Sequence, residues 1–306
     1  MKIAITARSF GKLDPAPLEL LRGKFSEIAM NETGGKLDEA GCVELLNGAA
    51  GVLAGTEKLS EAVFAACPDL RVISRVGVGL DSVDLEAARK RGIKVLNTPG
   101  VLADAVAELT LALILDCLRK VSASDRAVRA GEWKAAMGSL LRGKTVGIIG
   151  LGANGRRLAE LLAPFKVSLV ACDVAPDRDF ADRHGVLLTD IETLLLKSDV
   201  VSVNAPLTGG TRHLLDAARL AMMKEGAVLV NASRGGIVDD GALCEALKSG
   251  RLAAAGLDVF EKEPYTGELA RMDNVVLTPH IGSYAREARV AMEWAAAKNL
   301  VGALDA

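Results

Sequence analysis

The chain has 306 residues, half of them apolar, and its 37 Lys and Arg against 39 Asp and Glu leave a net charge of −2 with no block of one sign. That length exceeds what one core usually supports, so two domains are expected, and the charge balance points to neither a nucleic-acid nor an acidic-surface partner. The five cysteines, Cys42, Cys67, Cys117, Cys172 and Cys244, are scattered, odd in number and never spaced Cys-x-x-Cys, which indicates neither a disulfide framework nor a zinc or other metal site and fits a reducing cytoplasm.

Along the chain, short β-rich apolar runs alternate with longer Ala- and Leu-rich runs of helical pattern, the signature of βαβ units around a parallel sheet. The N-terminus through Thr6 is too short an apolar run for a secretory segment and reads as a first strand over 2–6. Helices are expected over 17–28, 38–46, 60–66 and 84–91, with strands at 51–54, 71–75 and 93–96 between and after them. At Asn97-Thr98-Pro99-Gly100 the proline disfavours helix at Thr98 and the glycine permits an unusual turn, so the chain crosses there to a second set of units. The apolar stretch from Val101 to Leu118 carries Asp104, Glu108 and Asp116, each costly in hydrocarbon, and reads as a buried or interface helix over 104–120 rather than a membrane span. Strands then follow at 145–149, 167–172, 199–204, 227–231, 254–258 and 275–278, with helices at 154–163, 191–196, 216–224 and 240–248.

The strand Thr145 to Ile149 runs directly into Gly150-Leu151-Gly152-Ala153-Asn154-Gly155 and then a helical segment. A lone G-x-G-x-x-G says little, but this one has the strand before it and the helix after it that a dinucleotide site requires. Gly150 would make the tight turn, Gly152 would let a pyrophosphate approach the backbone, and Gly155 would let helix and strand pack closely. The amides opening the helix, at Ala153 and Asn154, would face the phosphates. Asp173 ends the next strand, where a carboxylate can accept from ribose hydroxyls and repel a 2′-phosphate, so NAD is favoured over NADP. Arg178 and Arg183 downstream are the residues that argue the other way.

Three further polar residues stand at the ends of strand-like segments, where open α/β sheets place ligand chemistry: Arg234 in Asn231-Ala232-Ser233-Arg234-Gly235-Gly236, Glu263 in Asp258-Val259-Phe260-Glu261-Lys262-Glu263-Pro264, and His280 in Thr278-Pro279-His280-Ile281-Gly282. A histidine can give a proton to a developing alkoxide at neutral pH, a neighbouring carboxylate favours its imidazolium, and an arginine fork can hold a carboxylate. Each alone is as readily a surface ion pair, a solvated acid or a structural histidine. His184 and His213 lie outside any motif and read as surface residues, while Trp133 and Tyr284 either line a pocket or pack at a domain edge.

At these residues the chain resembles the D-isomer-specific 2-hydroxyacid dehydrogenase family, which includes phosphoglycerate dehydrogenases and glyoxylate or hydroxypyruvate reductases. The resemblance begins at Arg75-Val76-Gly77-Val78-Gly79 and continues through the glycine motif, Ala205-Pro206-Leu207-Thr208, Asn231 to Asp239, Gly256 to Pro264 and Pro279 to Arg289. It implies two doubly wound parallel-sheet domains: a flavodoxin-like substrate-binding lid from 1–97 plus 284–306, and a Rossmann NAD-binding domain over 98–283. It also implies an NAD-dependent enzyme moving a hydride between nicotinamide and C2 of a small D-2-hydroxy or 2-keto acid. Catalysis falls on Arg234, Glu263 and His280. Cofactor contacts fall on Gly150, Gly152, Ala153, Asn154, Gly155, Asp173, Ala205, Pro206, Thr208, Ala232, Ser233, Asp258 and His280. Substrate contacts fall on Val76, Gly77, Val78 and Gly79 together with Arg234 and His280. A cytoplasmic homodimer joined through helix 101–120 and segment 121–142 is the implied assembly, with neither nucleic acid nor membrane as partner. Two positions depart from the pattern: Asn204, where many relatives carry histidine, and Asn154, where an aliphatic residue is common. The competing reading is an interaction protein of the same fold that senses NAD(H) without turning it over; retention of Arg234, Glu263 and His280 weighs against it.

Overall fold

A computed structural model describes residues 1–305. The chain divides into two compact units, residues 1–102 together with the stretch from Tyr284 onward, and residues 103–283. The first opens with β1 (Lys2–Ile5), α1 (Ala16–Arg22), β2 (Glu27–Met30), α2 (Glu39–Leu46), β3 (Gly51–Ala54), α3 (Glu61–Ala66), β4 (Val72–Arg75), α4 (Leu85–Lys90) and β5 (Lys94–Leu96). The second holds α5 (Ala103–Arg119), α6 (Val121–Arg129), β6 (Thr145–Ile149), α7 (Ala153–Leu162), β7 (Ser168–Cys172), α8 (Arg178–His184), β8 (Val186–Leu188), α9 (Ile191–Lys197), β9 (Val200–Val203), α10 (Ala217–Met222), β10 (Ala227–Asn231), α11 (Asp240–Lys248), β11 (Leu252–Leu257) and β12 (Val275–Leu277). The last helix, α12 (Arg286–Leu304), belongs to the first unit.

Both sheets are parallel throughout, as the alternation of short apolar runs with helices requires. The first has the order β2-β1-β3-β4-β5, the flavodoxin-like arrangement. Its inner strands β1, β3 and β4 bury both faces. Ala4, Val52, Ala54 and Ile73 face one core, while Ile3, Ile5, Leu53 and Val72 face another that α12 closes with Met292, Ala296 and Leu300. The Ser74 hydroxyl donates to the Ala296 carbonyl at 2.8 Å and fixes α12 on β4.

The second sheet has the order β12-β11-β10-β9-β6-β7-β8. Counted from its own first strand this is the Rossmann order with one strand added, and the order reverses between β6 and β9. In such a sheet the crevice beyond the carboxyl ends of those two strands is where ligands sit. Helix α5 packs against α7, β10 and β11, burying Val106, Leu113, Ile114 and Leu118. Gly256 allows that approach, since a Cβ there would stand 3.0 Å from the Leu113 Cβ. No helix of the described residues is long and apolar enough to cross a membrane.

One expected helix is shorter in the structure than its pattern. The run 17–28 stays helical only to Arg22, turns at Gly23, and becomes β2 from Glu27. This strand lies at the sheet edge and buries none of its four residues fully, so it carries little of the alternation that identifies a strand. The three-residue edge strand β8 and the helices α6, α8 and α12 likewise fall outside the elements expected from the pattern.

Candidate active site

The glycine loop is shaped by what its neighbours leave no room for. Gly150 has φ +93°, and a Cβ there would lie 2.7 Å from the Ala205 nitrogen and 2.8 Å from the Asn204 carbonyl carbon. A Cβ on Gly155 would collide with the Gly150 carbonyl oxygen, so α7 can start this close to β6 only with glycine. Gly152 is different: it is exposed, and nothing lies within 4 Å of where its Cβ would be. It is also the N-cap of α7, and no side chain caps the helix. The first-turn amides, with Ala153 exposed and Asn154 half-buried, are therefore left for an anion drawn by the helix N-terminus.

Asp173 follows β7 and both of its carboxylate oxygens hold backbone. One accepts from the Leu151 amide at 2.6 Å and the other from the Ala175 amide at 2.8 Å. It thus braces the glycine loop, and each oxygen keeps a second lone-pair direction for a ribose hydroxyl. The open cradle at Gly152, the uncapped amides and this carboxylate together suit a dinucleotide. Arg178 and Arg183 are exposed on α8, and the Arg183 Nε donates to the Asp179 carbonyl at 3.1 Å. Ala205 is buried against the loop, whereas Pro206 and Thr208 are exposed in a turn where the Thr211 hydroxyl donates to the Pro206 carbonyl at 2.6 Å. Asn204, in place of the usual histidine, donates its side-chain amide to the Ser202 hydroxyl at 3.0 Å and keeps to its own strand end.

The ends of β10, β11 and β12 bring Arg234, Glu263 and His280 together. Asn231 is buried and clamps the turn after β10: its amide donates to the Arg234 carbonyl at 2.9 Å, and its oxygen accepts from the Ser233 amide at 3.0 Å and hydroxyl at 2.8 Å. Ala232 and Ser233 are buried in this turn, and the half-buried Arg234 projects from it with Nη1 on the Ser233 carbonyl at 2.7 Å. After β11, Glu263 reaches back to accept from the Phe260 amide at 3.1 Å, and its other oxygen meets His280 Nδ1 at 2.8 Å.

His280 has φ +55°, a left-handed conformation unusual for a residue with a side chain. Asp258 holds it there. This carboxylate is wholly buried and takes the Thr278 hydroxyl at 2.6 Å, the Ile281 amide at 2.7 Å and the Gly282 amide at 2.8 Å. Beyond the cofactor contact that the resemblance implies for Asp258, its carboxylate lies beneath the His280 turn, a job invisible in the sequence.

The hydrogen bond that His280 Nδ1 donates to Glu263 raises the His280 pKa above its ordinary 6.5; burial opposes the rise, the charges of Glu263 and Asp258 add to it, and Arg234 works against it. For Glu263, burial pushes upward, but the His280 hydrogen bond and charge, the Phe260 amide and the Arg234 charge outweigh it and leave the carboxyl below the usual range. With Nδ1 committed to Glu263, Nε2 is the ring atom left to pass a proton outward.

In the first unit, Val76 is buried at the end of β4, while Gly77 (φ +147°) and the exposed Val78 turn away from the sheet. The Thr98 amide donates to the Gly77 carbonyl at 3.0 Å and the Asn97 side chain to the Val78 carbonyl at 2.7 Å, and Gly79 follows half-buried. Tyr284 is exposed, with the Arg289 guanidinium 5.4 Å from its ring centre, and Trp133 in the second unit is 91% exposed. His184 is exposed and stacks on Phe180 at 4.2 Å. His213 is not the bare surface residue its sequence context implied: it has φ +47° and its Nε2 is hydrogen-bonded to Glu261 Oε1.

Residues 111–282 match the model of the family described as D-isomer specific 2-hydroxyacid dehydrogenase, NAD binding domain. A glyoxylate reductase of Thermococcus litoralis is 43% identical over 256 residues, covering 80% of this chain and 77% of that one. A hydroxypyruvate reductase of Thermotoga maritima is 42% identical over 245 residues, covering 78% and 79% respectively. The crystal structure of an Aquifex aeolicus D-lactate dehydrogenase complexed with NAD and lactic acid superposes with a TM-score of 0.85 at 27% identity, covering 100% of this chain and 96% of that one.

Proposed function

The chain belongs to the D-isomer-specific 2-hydroxyacid dehydrogenase family and is an NAD-dependent oxidoreductase acting on CH–OH donors; on that premise we propose that it reduces a small 2-keto acid of the glyoxylate or hydroxypyruvate type at C2. When bound, NADH supplies the hydride. His280 gives a proton from Nε2 to the oxygen on C2, Glu263 keeps the ring oriented and protonated through Nδ1, and Arg234 holds the substrate carboxylate and draws charge toward the carbonyl. The observation that carries this reading is the 2.8 Å bond between His280 and Glu263, made by a histidine that a buried carboxylate holds at positive φ. Strained backbone of this sort persists where the surrounding structure over-determines it, and it clusters at active sites. Gly150, Gly152, Gly155, the α7 amides and Asp173 take the cofactor in the same proposal.

The test is NADH oxidation across glyoxylate, hydroxypyruvate and 3-phosphohydroxypyruvate, repeated with NADPH. Replacing His280 with Ala should lower kcat by roughly a hundred- to ten-thousand-fold, the range of general acid catalysis, while NADH binding persists. Undiminished reduction in that variant would remove His280 from the mechanism. Because its pKa is raised, reduction should keep its rate above pH 6.5 and decline as pH passes the raised value, whereas oxidation, which needs the neutral ring, should gain there. The sensing alternative has no support among the relatives, which are named as reductases and dehydrogenases.

We also propose a homodimer in the cytoplasm, formed through α5 and the segment 121–142. Helix α6 buries none of its residues within its own chain, and Trp133, Met137 and Leu140 stand exposed just beyond it. Apolar side chains grouped in this way mark a protein contact.

A further inference from the structure

His213 touches both loops that carry the acid–base residues. Its backbone amide donates to the Gly236 carbonyl at 2.7 Å, in the loop of Arg234, and its ring Nε2 is bonded to Glu261 Oε1, two residues before Glu263. The loops also meet directly. A Cβ on Gly235 would overlap the peptide between Phe260 and Glu261, so backbone lies on backbone there. The Asp240 carboxylate at the start of α11 lies near the same Glu261 backbone. His213 reaches this corner with φ +47°, a conformation that a histidine rarely adopts.

Resting on the catalytic reading above, we infer that His213 is a positioning residue: it ties the Arg234 loop to the Glu263 loop and thereby fixes the Glu263–His280 hydrogen bond. The mechanical logic is direct. Glu263 holds its own loop through the Phe260 amide on one side and meets His280 on the other. A shift of residues 260–261 therefore moves Glu263 away from Nδ1. The charged groups around the two histidines are few. His280 faces Glu263 and Asp258 from the β11 end and Arg234 from the β10 end. His213 faces Glu261 from the β11 loop, and Asp239 and Asp240 at the start of α11, with Asp239 Oδ2 3.9 Å from its Nδ1. Arg212 is the chain neighbour of His213, and Lys262 lies between Glu261 and Glu263.

The experiment is the pH dependence of kcat/KM for keto-acid reduction, whose basic limb reports deprotonation of the acid in the free enzyme. Glu263→Gln sets the scale, because removing that carboxylate should move the limb to lower pH. His213→Ala should move the limb the same way and lower kcat roughly ten- to a hundredfold, the scale of a displacement of about an ångström, while KM for NADH stays put. Glu261→Ala removes the same bond without altering the left-handed residue, and it carries the test alone if His213→Ala does not fold. His213→Gln, which keeps a donor, should restore the limb. In the Glu263→Gln background, His213→Ala should shift it no further.

A limb at the wild-type position in both His213→Ala and Glu261→Ala overturns the inference, whatever their rates, since a merely structural loss lowers activity without moving the limb. A limb that stays put even in Glu263→Gln overturns the catalytic reading itself, and the inference falls with it.

Discussion

Asp258 takes three donors from residues 278–282 with a carboxylate that never meets solvent. Asp258→Asn would turn an N–H toward one of those amides, leaving a buried donor unsatisfied, which costs about 1–3 kcal/mol. Thermal unfolding should register that loss and kcat should fall with it, because the turn sets the position of His280. Asp240 behaves in the opposite sense. Burial first, then the neighbouring charges of Glu261 and Asp239, push its pKa from 3.8 up to about 6 against the hydrogen bond from the Glu261 amide. The folded form thus binds its proton more tightly than the unfolded chain, and the ionised carboxylate destabilises the fold above pH 6 or so, a cost that fades as pH falls toward the unfolded value. Asp240→Asn should therefore raise Tm at about pH 8 by more than at about pH 5; an equal shift at both would count against this account of Asp240. His280 contributes with its own sign. Its raised pKa stabilises the fold fully below the ordinary 6.5, and that contribution is lost as pH climbs through the raised value. Glu263 and His280 were marked out in the sequence by their place at strand ends and by the family resemblance, and the fold brings them within 2.8 Å. The work of Asp258 and His213 was hidden, since their partners lie some twenty to fifty positions away and only the folded strand ends bring them together.

Elements with a full apolar pattern were legible, and of the four edge strands β5 and β12 were read from the sequence while β2 and β8 were not. The buried strands β3, β6, β9 and β10 stand out because both of their faces are covered. The strands β2 and β8 close their sheets and lack that signal. Helix α12 escaped for another reason: half of its buried set is alanine, beside Met292 and Leu300, and it includes the buried Glu293, whose Oε2 accepts from the Gly11 amide at 2.9 Å. Leu300 is fully buried among the residues of the first sheet, so Leu300→Ala should cost about 2–5 kcal/mol in denaturant unfolding. At the start of α7 the constraint is backbone contact. Gly155→Ala should push the helix from the Gly150 carbonyl and abolish NADH binding by fluorescence titration; retained affinity would show that the loop can yield.

At the scale of the whole molecule, the alternation of strand and helix was sufficient for the α/β class and for parallel sheets, because parallel strands require crossovers. The strand orders were not readable from pattern, since nothing local says that β6 pairs β9 on one side and β7 on the other; there the resemblance supplied the expectation. The proposed dimer is a claim at this scale. Trp133→Glu combined with Met137→Glu should convert a dimer to a monomer in light scattering, and a wild-type chain that is monomeric at working concentration contradicts it. The central claim is hydride transfer to C2, and it is tested most directly by reducing hydroxypyruvate with NADH labelled with deuterium at C4 and locating the label in the product. The account expects D-glycerate carrying one deuteron on C2 when the transferred position of the nicotinamide is labelled. Unlabelled product from both C4 epimers, L-glycerate, or no turnover of any 2-keto acid would contradict it.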